Sequence, residues 1–292
     1  MTRRPAALRL ACGLCLLSAP ALAADPPAAT AASAPPADLR SPEQRDTRHS
    51  AYSLPQSTWA LNVGALGIGG GDVFAKLGVA YGVGGGVQLE LNLAHVGVGL
   101  MNFAAQWHFV DTRYFDLGAG LGFWYGHGDW FWIARGVTRD VVSKLDVIRV
   151  PIALTASAPL LRWLQLDLTV GYTYGEIFGE FGDEGSIFHD AQIGARQLTF
   201  RPGVRWFMSP RTSLDLSAHL PAYTSLPIEL AGDTGETRYR KVPFSDSWSV
   251  EAALRSSLTP NVFGNLRLHY GNVANALYGA SLYPSFELEI RL

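Results

Sequence analysis

Between Trp59 and Leu292 the chain alternates between apolar and polar residues with a period of two. In Val87-Gln88-Leu89-Glu90-Leu91-Asn92-Leu93 every odd position is apolar and every even one polar. Leu164, Leu166, Leu168, Val170 and Tyr172 alternate with Gln165, Asp167 and Thr169 in the same way, and Leu214, Leu216 and Leu220 with Asp215, Ser217 and His219. Successive strand side chains point to opposite faces, so each segment has one oily and one wet face. The pattern predicts twelve strands, at 57–68, 72–82, 86–96, 99–110, 114–125, 146–158, 163–175, 192–208, 213–224, 247–258, 262–271 and 281–292. Most hold about ten residues, the length that crosses a bilayer at a tilt, whereas strands of soluble proteins average about 5–6.

The connections alternate too. Tight turns are expected at Gly82–Gly86, Asp111-Thr112-Arg113, Pro159–Arg162, Ser209-Pro210-Arg211 and Thr259-Pro260-Asn261, after the even strands. Longer loops, 126–144, 176–190, 225–246 and 272–280, follow odd strands. Short periplasmic turns and long outer loops are the habit of barrels in the outer membrane. On that pattern both termini are periplasmic. In hydrocarbon each unpaired backbone group costs several kcal/mol, so the first and last strands must pair. Aromatic residues gather at strand ends, where amphipathic rings favour the headgroup level. Trp59, Tyr81, Trp107, Phe109, Phe115, Trp163, Trp206 and Phe263 form one expected girdle. Phe123, Tyr125, Tyr172, Tyr174, Tyr223, Trp248, Tyr270 and Tyr283 form the other.

The first residues carry a different signal. Arg3, Arg4 and Arg9, the apolar run Leu10–Leu17 and the small residues of Ala21-Leu22-Ala23 have the form of a cleaved secretory signal peptide, residues 1–23. Residues 24–56, rich in Ala and Pro, are expected to be a disordered periplasmic tail. Both cysteines, Cys12 and Cys15, lie in the signal, so the mature chain offers no disulfide and no thiolate ligand. The formal net charge of −2 becomes −5 once the three signal arginines are removed, and no nucleic-acid partner is expected.

With its signal peptide, alternating strands and C-terminal segment Ser281-Leu282-Tyr283-Pro284-Ser285-Phe286-Glu287-Leu288-Glu289-Ile290-Arg291-Leu292, the chain resembles the bacterial outer-membrane β-barrel superfamily. That resemblance implies an all-β fold: a closed antiparallel transmembrane barrel of about twelve strands in an up-and-down meander, 57–292, in the outer membrane of a Gram-negative cell. It also implies two partners, the membrane's lipids and the barrel-insertion machinery, which usually reads the last strand. That strand usually ends in an aromatic residue, and here it ends in Leu292.

If the oily positions face lipid, the charges beside them face the lumen. These are Lys76, Glu90, Asp116, Arg149, Asp167, Arg201, Arg205, Asp215, Glu251, Arg255, Arg267, Glu287, Glu289 and Arg291. The two signs balance, which suggests mutual pairing more than a filter of one sign. Gly118, Gly120 and Gly122 also face inward; relief of curvature or packing beside a bulky neighbour explains them better than open space does. His108, His219 and His269 are expected inside, and His95, His127 and His189 near the outer loops. No compact His-x-Ser signature occurs, so no catalytic residue is assigned and an enzyme is the less favoured class. No cofactor or metal is expected; His189-Asp190 beside Glu180, Asp183 and Glu184 reads as a solvated acidic loop. The cluster Trp130, Phe131 and Trp132 after Asp129 is unusual for an outer loop; it is expected to extend strand 5 or 6 above the membrane and pack on a neighbouring loop, the alternatives being a constriction of the lumen, a contact with lipid A or a hydrophobic-ligand site. Three functions remain open: a narrow porin-like channel or transporter for small solutes, a lipid-modifying enzyme at the barrel rim, and a structural or adhesive barrel acting through loops 126–144 and 225–246.

Overall fold

The structure, a computed structural model, describes residues 51–65, 76–97, 99–127, 144–180, 188–232, 237–241, 248–271 and 281–292. Its strands are β1 (Trp59–Ala65), β2 (Lys76–Gly84), β3 (Val87–Asn92), β4 (Leu100–Asp111), β5 (Asp116–His127), β6 (Lys144–Leu161), β7 (Leu164–Glu180), β8 (Phe188–Ser209), β9 (Thr212–Gly232), β10 (Thr237–Lys241), β11 (Ser249–Thr259), β12 (Val262–Gly271) and β13 (Ser281–Arg291). One short helix, α1 (Leu93–Gly97), follows β3. Among the described residues no helix is long and apolar enough to cross a membrane.

Every pairing is antiparallel, and the sheet closes. β1 pairs with β13 from Ala60↔Arg291 to Ala65↔Phe286, and Trp59 and Leu292 exchange backbone hydrogen bonds of 3.3 and 2.9 Å. β10 and β11 share one edge of β9: β10 pairs with its far part, Ser225–Glu229, and β11 with Thr212–His219. Thirteen strands therefore make a closed barrel of twelve staves. Closure leaves no edge to be desolvated in lipid. We call the end that carries Trp59 and Leu292 the terminal mouth, and the opposite end the far mouth.

The interior is polar and the exterior apolar, the reverse of a soluble domain. Leu121, Ile152, Leu216 and Leu266 are exposed on the outside, while Arg205, Gln165, Asp116 and Ser157 are the largest fully buried side chains. The outward faces of β6–β9 and β11–β13, with Leu166, Leu168, Leu216 and Leu268, line an apolar concavity of about 790 Å³. At the terminal mouth the outward rings pair: Trp59 with Tyr81, centroids 4.5 Å apart, and Trp107 with Phe109 at 5.2 Å.

Three expectations change. The third strand stops at Asn92 rather than residue 96. Asn92 Oδ1 accepts the Ala94 N–H at 3.1 Å, as a helix N-cap does, and Asn102 replaces the lost strand partner by bonding the Asn92 N–H and carbonyl at 2.6 and 2.8 Å. The predicted loops 176–190 and 225–246 are in part strand, because β7, β8 and β9 run on to Glu180, from Phe188 and to Gly232. Phe263 belongs to no girdle. It pairs with Glu289 and shares its inward face, beneath the guanidinium groups of Arg255 and Arg291 at 5.1 and 4.4 Å.

Candidate functional site

The lumen is the candidate site, and its two halves are furnished differently. From β7 to β13 the inner wall is braced by ion pairs. Arg205 on β8, 1 % exposed, donates to both oxygens of Asp215 at 2.7 and 3.0 Å and stands 3.5 Å from Asp167. The two-point fork fixes direction as well as charge. Asp167 also accepts from Ser157 Oγ at 2.6 Å and from Gln165 Nε2 at 2.8 Å. One layer towards the far mouth, Glu251 on β11 accepts from Arg201 at 2.8 Å, with His269 at 3.4 Å and Arg267 at 4.0 Å. Arg267 also reaches Glu287 at 3.3 Å. A third layer, at the terminal mouth, joins Arg255 to Glu289 at 3.6 Å and Glu289 to Arg291 at 2.6 Å. A void of about 20 Å³ between the Arg201 and Arg205 layers has room for about one water.

From β1 to β6 the terminal mouth holds a strap instead, the segment 51–58 that precedes β1. It follows the inner wall from β6 round to β1. Ala51 N–H donates to Ser157 Oγ on β6 at 3.1 Å. The Tyr52 hydroxyl bonds Asp116 on β5, and its carbonyl accepts from Gln106 on β4 at 2.7 Å. Leu54 N–H donates to Gln88 on β3 at 2.9 Å, and Ser57 N–H to the Gly82 carbonyl on β2 at 2.8 Å. Leu54 forms a small apolar core with Ala60 and Ala80. Two inward glycines make room for it. A Cβ on Gly82 would lie 1.9 Å from the Pro55 carbonyl oxygen, and one on Gly118 would lie 2.5 Å from that of Ala51. Gly122 answers a different neighbour, the ring of Trp124, 2.5 Å from where its Cβ would be. The last residues of the expected disordered tail, 51–56, are thus packed into the barrel.

Of the charges expected to line the lumen, the structure brings Asp167, Arg205 and Asp215 together, then Arg201, Glu251, Arg267 and Glu287, and then Arg255, Glu289 and Arg291. Asp116 lies with Tyr52 and His108, Arg149 lies over the Trp124 ring at 5.3 Å, and Glu90 is half-buried on β3. The Lys76 and His189 side chains, and Trp130, Phe131 and Trp132, lie outside the described residues.

Two groupings escaped the sequence reading. His108, Asp111 and Asp116 gather at the terminal mouth. On the outward face near the far mouth, His127 Nδ1 and Asp146 Oδ1 are 2.6 Å apart, with the Tyr125 hydroxyl 3.4 Å from the same oxygen. His127 and Asp146 are direct partners across β5 and β6, a relation that becomes visible only once the register is known.

A closed twelve-stave barrel with an apolar exterior and a polar, ion-paired interior is the fold of a transmembrane β-barrel. Solved structures of that class resemble it. Outer membrane protease OmpT from Escherichia coli is 11% identical, over 83% of this chain and 100% of that one, with a TM-score of 0.39. The toluene transporter TbuX of Ralstonia pickettii is 8% identical, over 82% and 89%, with a TM-score of 0.40. LpxR from Salmonella typhimurium is 12% identical, over 80% and 99%, with a TM-score of 0.35. No protein-family model matches the chain, and neither does any curated protein.

Proposed function

We propose that the protein is a narrow outer-membrane channel for small polar solutes, with a terminal mouth that is partly closed by its own strap. One observation carries this reading: the strap is bonded to inward side chains of successive staves, in room that Gly82 and Gly118 leave for it. Twelve strands about 4.8 Å apart and tilted by about 40° could enclose a circle of at most roughly 24 Å, and the ion-paired layers of β7–β13 together with the strap narrow what that wall encloses. Balanced charges along the opposite wall favour passage of small polar molecules over selection by sign. On this reading residues 1–23 are cleaved on export and the terminal mouth is periplasmic; the tight hairpins between β6 and β7, β8 and β9, and β11 and β12 all lie at that end. A C-terminal epitope shielded from antibody on intact cells checks the orientation.

The test of transport is single-channel recording in planar bilayers. Wild-type protein should give small conductance steps, and protein lacking residues 51–56 should give larger ones. If both are silent while circular dichroism shows an intact barrel, the channel reading is wrong.

The His127–Asp146 pair favours a second reading, a lipid-modifying enzyme at the far rim. From Asp116, eleven residue steps of about 3.3 Å along a strand tilted by about 40° rise roughly 28 Å. That carries His127 to the edge of an apolar band about 25 Å tall, at the level of lipid headgroups. A carboxylate on Nδ1 orients an imidazole for general-base work. Mass spectra of lipid A and phospholipids should then differ between cells with wild-type protein and with His127→Gln; identical spectra dismiss this reading.

A further inference from the structure

His108 and Asp111 are three residues apart on β4, and in an unbroken strand they would face opposite sides. A bulge between His108 and Val110 prevents this. His108 pairs with Gly118 and Asp111 with Asp116, so all three chemical groups share the inward face. Bulges serve to re-aim a side chain in this way. One donor atom from each of His108, Asp111 and Asp116 lies within 4.8 Å of the other two.

The His108–Asp116 separation suits a shared metal ion better than a hydrogen bond. His108 Nε2 is 3.5 Å from Asp116 Oδ1. An N–H···O bond spans about 2.7–3.2 Å. Donors bound at about 2.0–2.1 Å to the corners of a tetrahedron stand about 3.4 Å apart. Nε2 is buried and makes no hydrogen bond. The support that metal ligands need from their neighbours is also in place. The Tyr52 hydroxyl donates to Asp116 Oδ2, which turns Oδ1 towards His108. The Tyr52 ring meets the His108 ring edge-on with centroids 4.8 Å apart.

We propose that His108, Asp111 and Asp116 bind a divalent transition-metal ion at the terminal mouth, against the strap. One imidazole and two carboxylates match Zn²⁺, with a position left open for water. Ca²⁺ would want six to eight oxygens. The site is independent of whether the barrel conducts. It also places a metal beside the one strap residue, Tyr52, whose side chain touches both His108 and Asp116.

The test uses the mature protein refolded in detergent. Zn²⁺ is titrated by calorimetry, and Co²⁺ by its visible absorption, whose intensity reports tetrahedral geometry. Wild-type protein should bind one ion, and His108→Gln and Asp111→Asn should each weaken binding by about tenfold or more. Asp111 is exposed, so its variant keeps the fold, and circular dichroism verifies the barrel for each protein. His219→Gln, on another part of the inner wall, should bind as wild type. The proposal fails if wild type binds no more tightly than the His108→Gln/Asp111→Asn double variant, or if tight binding survives in that double variant.

Discussion

From β7 to β13 the lumen is filled by the wall's own side chains, in ion pairs between adjacent or next-but-one staves. From β1 to β6 it is filled at the terminal mouth by a separate piece of chain, which reaches across 106 positions of sequence to Ser157 and 34 to Gln88. Both arrangements satisfy polar groups held at membrane depth. They differ in what can be removed. Taking one partner from a buried ion pair strands a charge, so that half is committed to its packing. The strap is held mainly by single neutral hydrogen bonds, each contributing about 0.5–1.5 kcal/mol net, and it can leave without breaking any β-ladder. On the proposed reading one half of the lumen is a fixed wall and the other a removable one.

The largest effect should come from the fixed half. Arg205→Ala leaves Asp167 and Asp215 buried without their shared cation, and should lower barrel stability by about 3–5 kcal/mol. Urea unfolding in micelles measures it. Asp167→Asn together with Asp215→Asn and Arg205→Met removes the charges as a set and should recover part of that loss, because no unpaired charge then stays buried. If Arg205→Ala unfolds no more easily than wild type, the ion-paired half is not the committed one.

Next comes displacement of the strap by its seat. Gly118→Val and Gly82→Val put carbon where the carbonyls of Ala51 and Pro55 now lie. Both should expel the strap, make residues 51–56 sensitive to added protease and enlarge the conductance steps, with the sheet intact. Protease resistance equal to wild type in both variants would show that the strap is not seated where the glycines make room.

The barrel was legible in the sequence because lipid on one side and polar contacts on the other impose a period of two, and parity alone then selects the inward charges. Where that constraint lapses, so does the reading. Beyond the membrane both strand faces meet water, so β8 starts at Phe188 and β9 runs on to Gly232, outside the predicted 192–208 and 213–224, without an alternation to follow. Phe263 was misplaced because its nearness to a turn outweighed its parity with Arg267 and His269. α1 depends on two asparagines that meet only across β3 and β4. The strap was hidden by an Ala/Pro composition that suggests a tail; its trace was the inward glycine at position 118, whose vacancy had no visible tenant. The His108–Asp111–Asp116 grouping was hidden for a sharper reason, since a bulge reverses the parity on which every other inference rests.

The smallest expected effect lies at the joint between the two halves. Ser157 accepts from the strap through Ala51 N–H and donates to Asp167, the carboxylate beside Arg205. Ser157→Ala cuts both bonds and opens little space. Asp167 keeps Gln165 and Arg205 as partners, so stability should fall by about 1 kcal/mol, much less than for Arg205→Ala. The strap should nonetheless loosen at its Ala51 end, detectable as faster hydrogen exchange of the Ala51 amide with Leu54 still protected by Gln88. If Ser157→Ala instead destabilises the barrel as much as Arg205→Ala does, the two halves are one cooperative structure, and the division between fixed wall and removable strap does not hold.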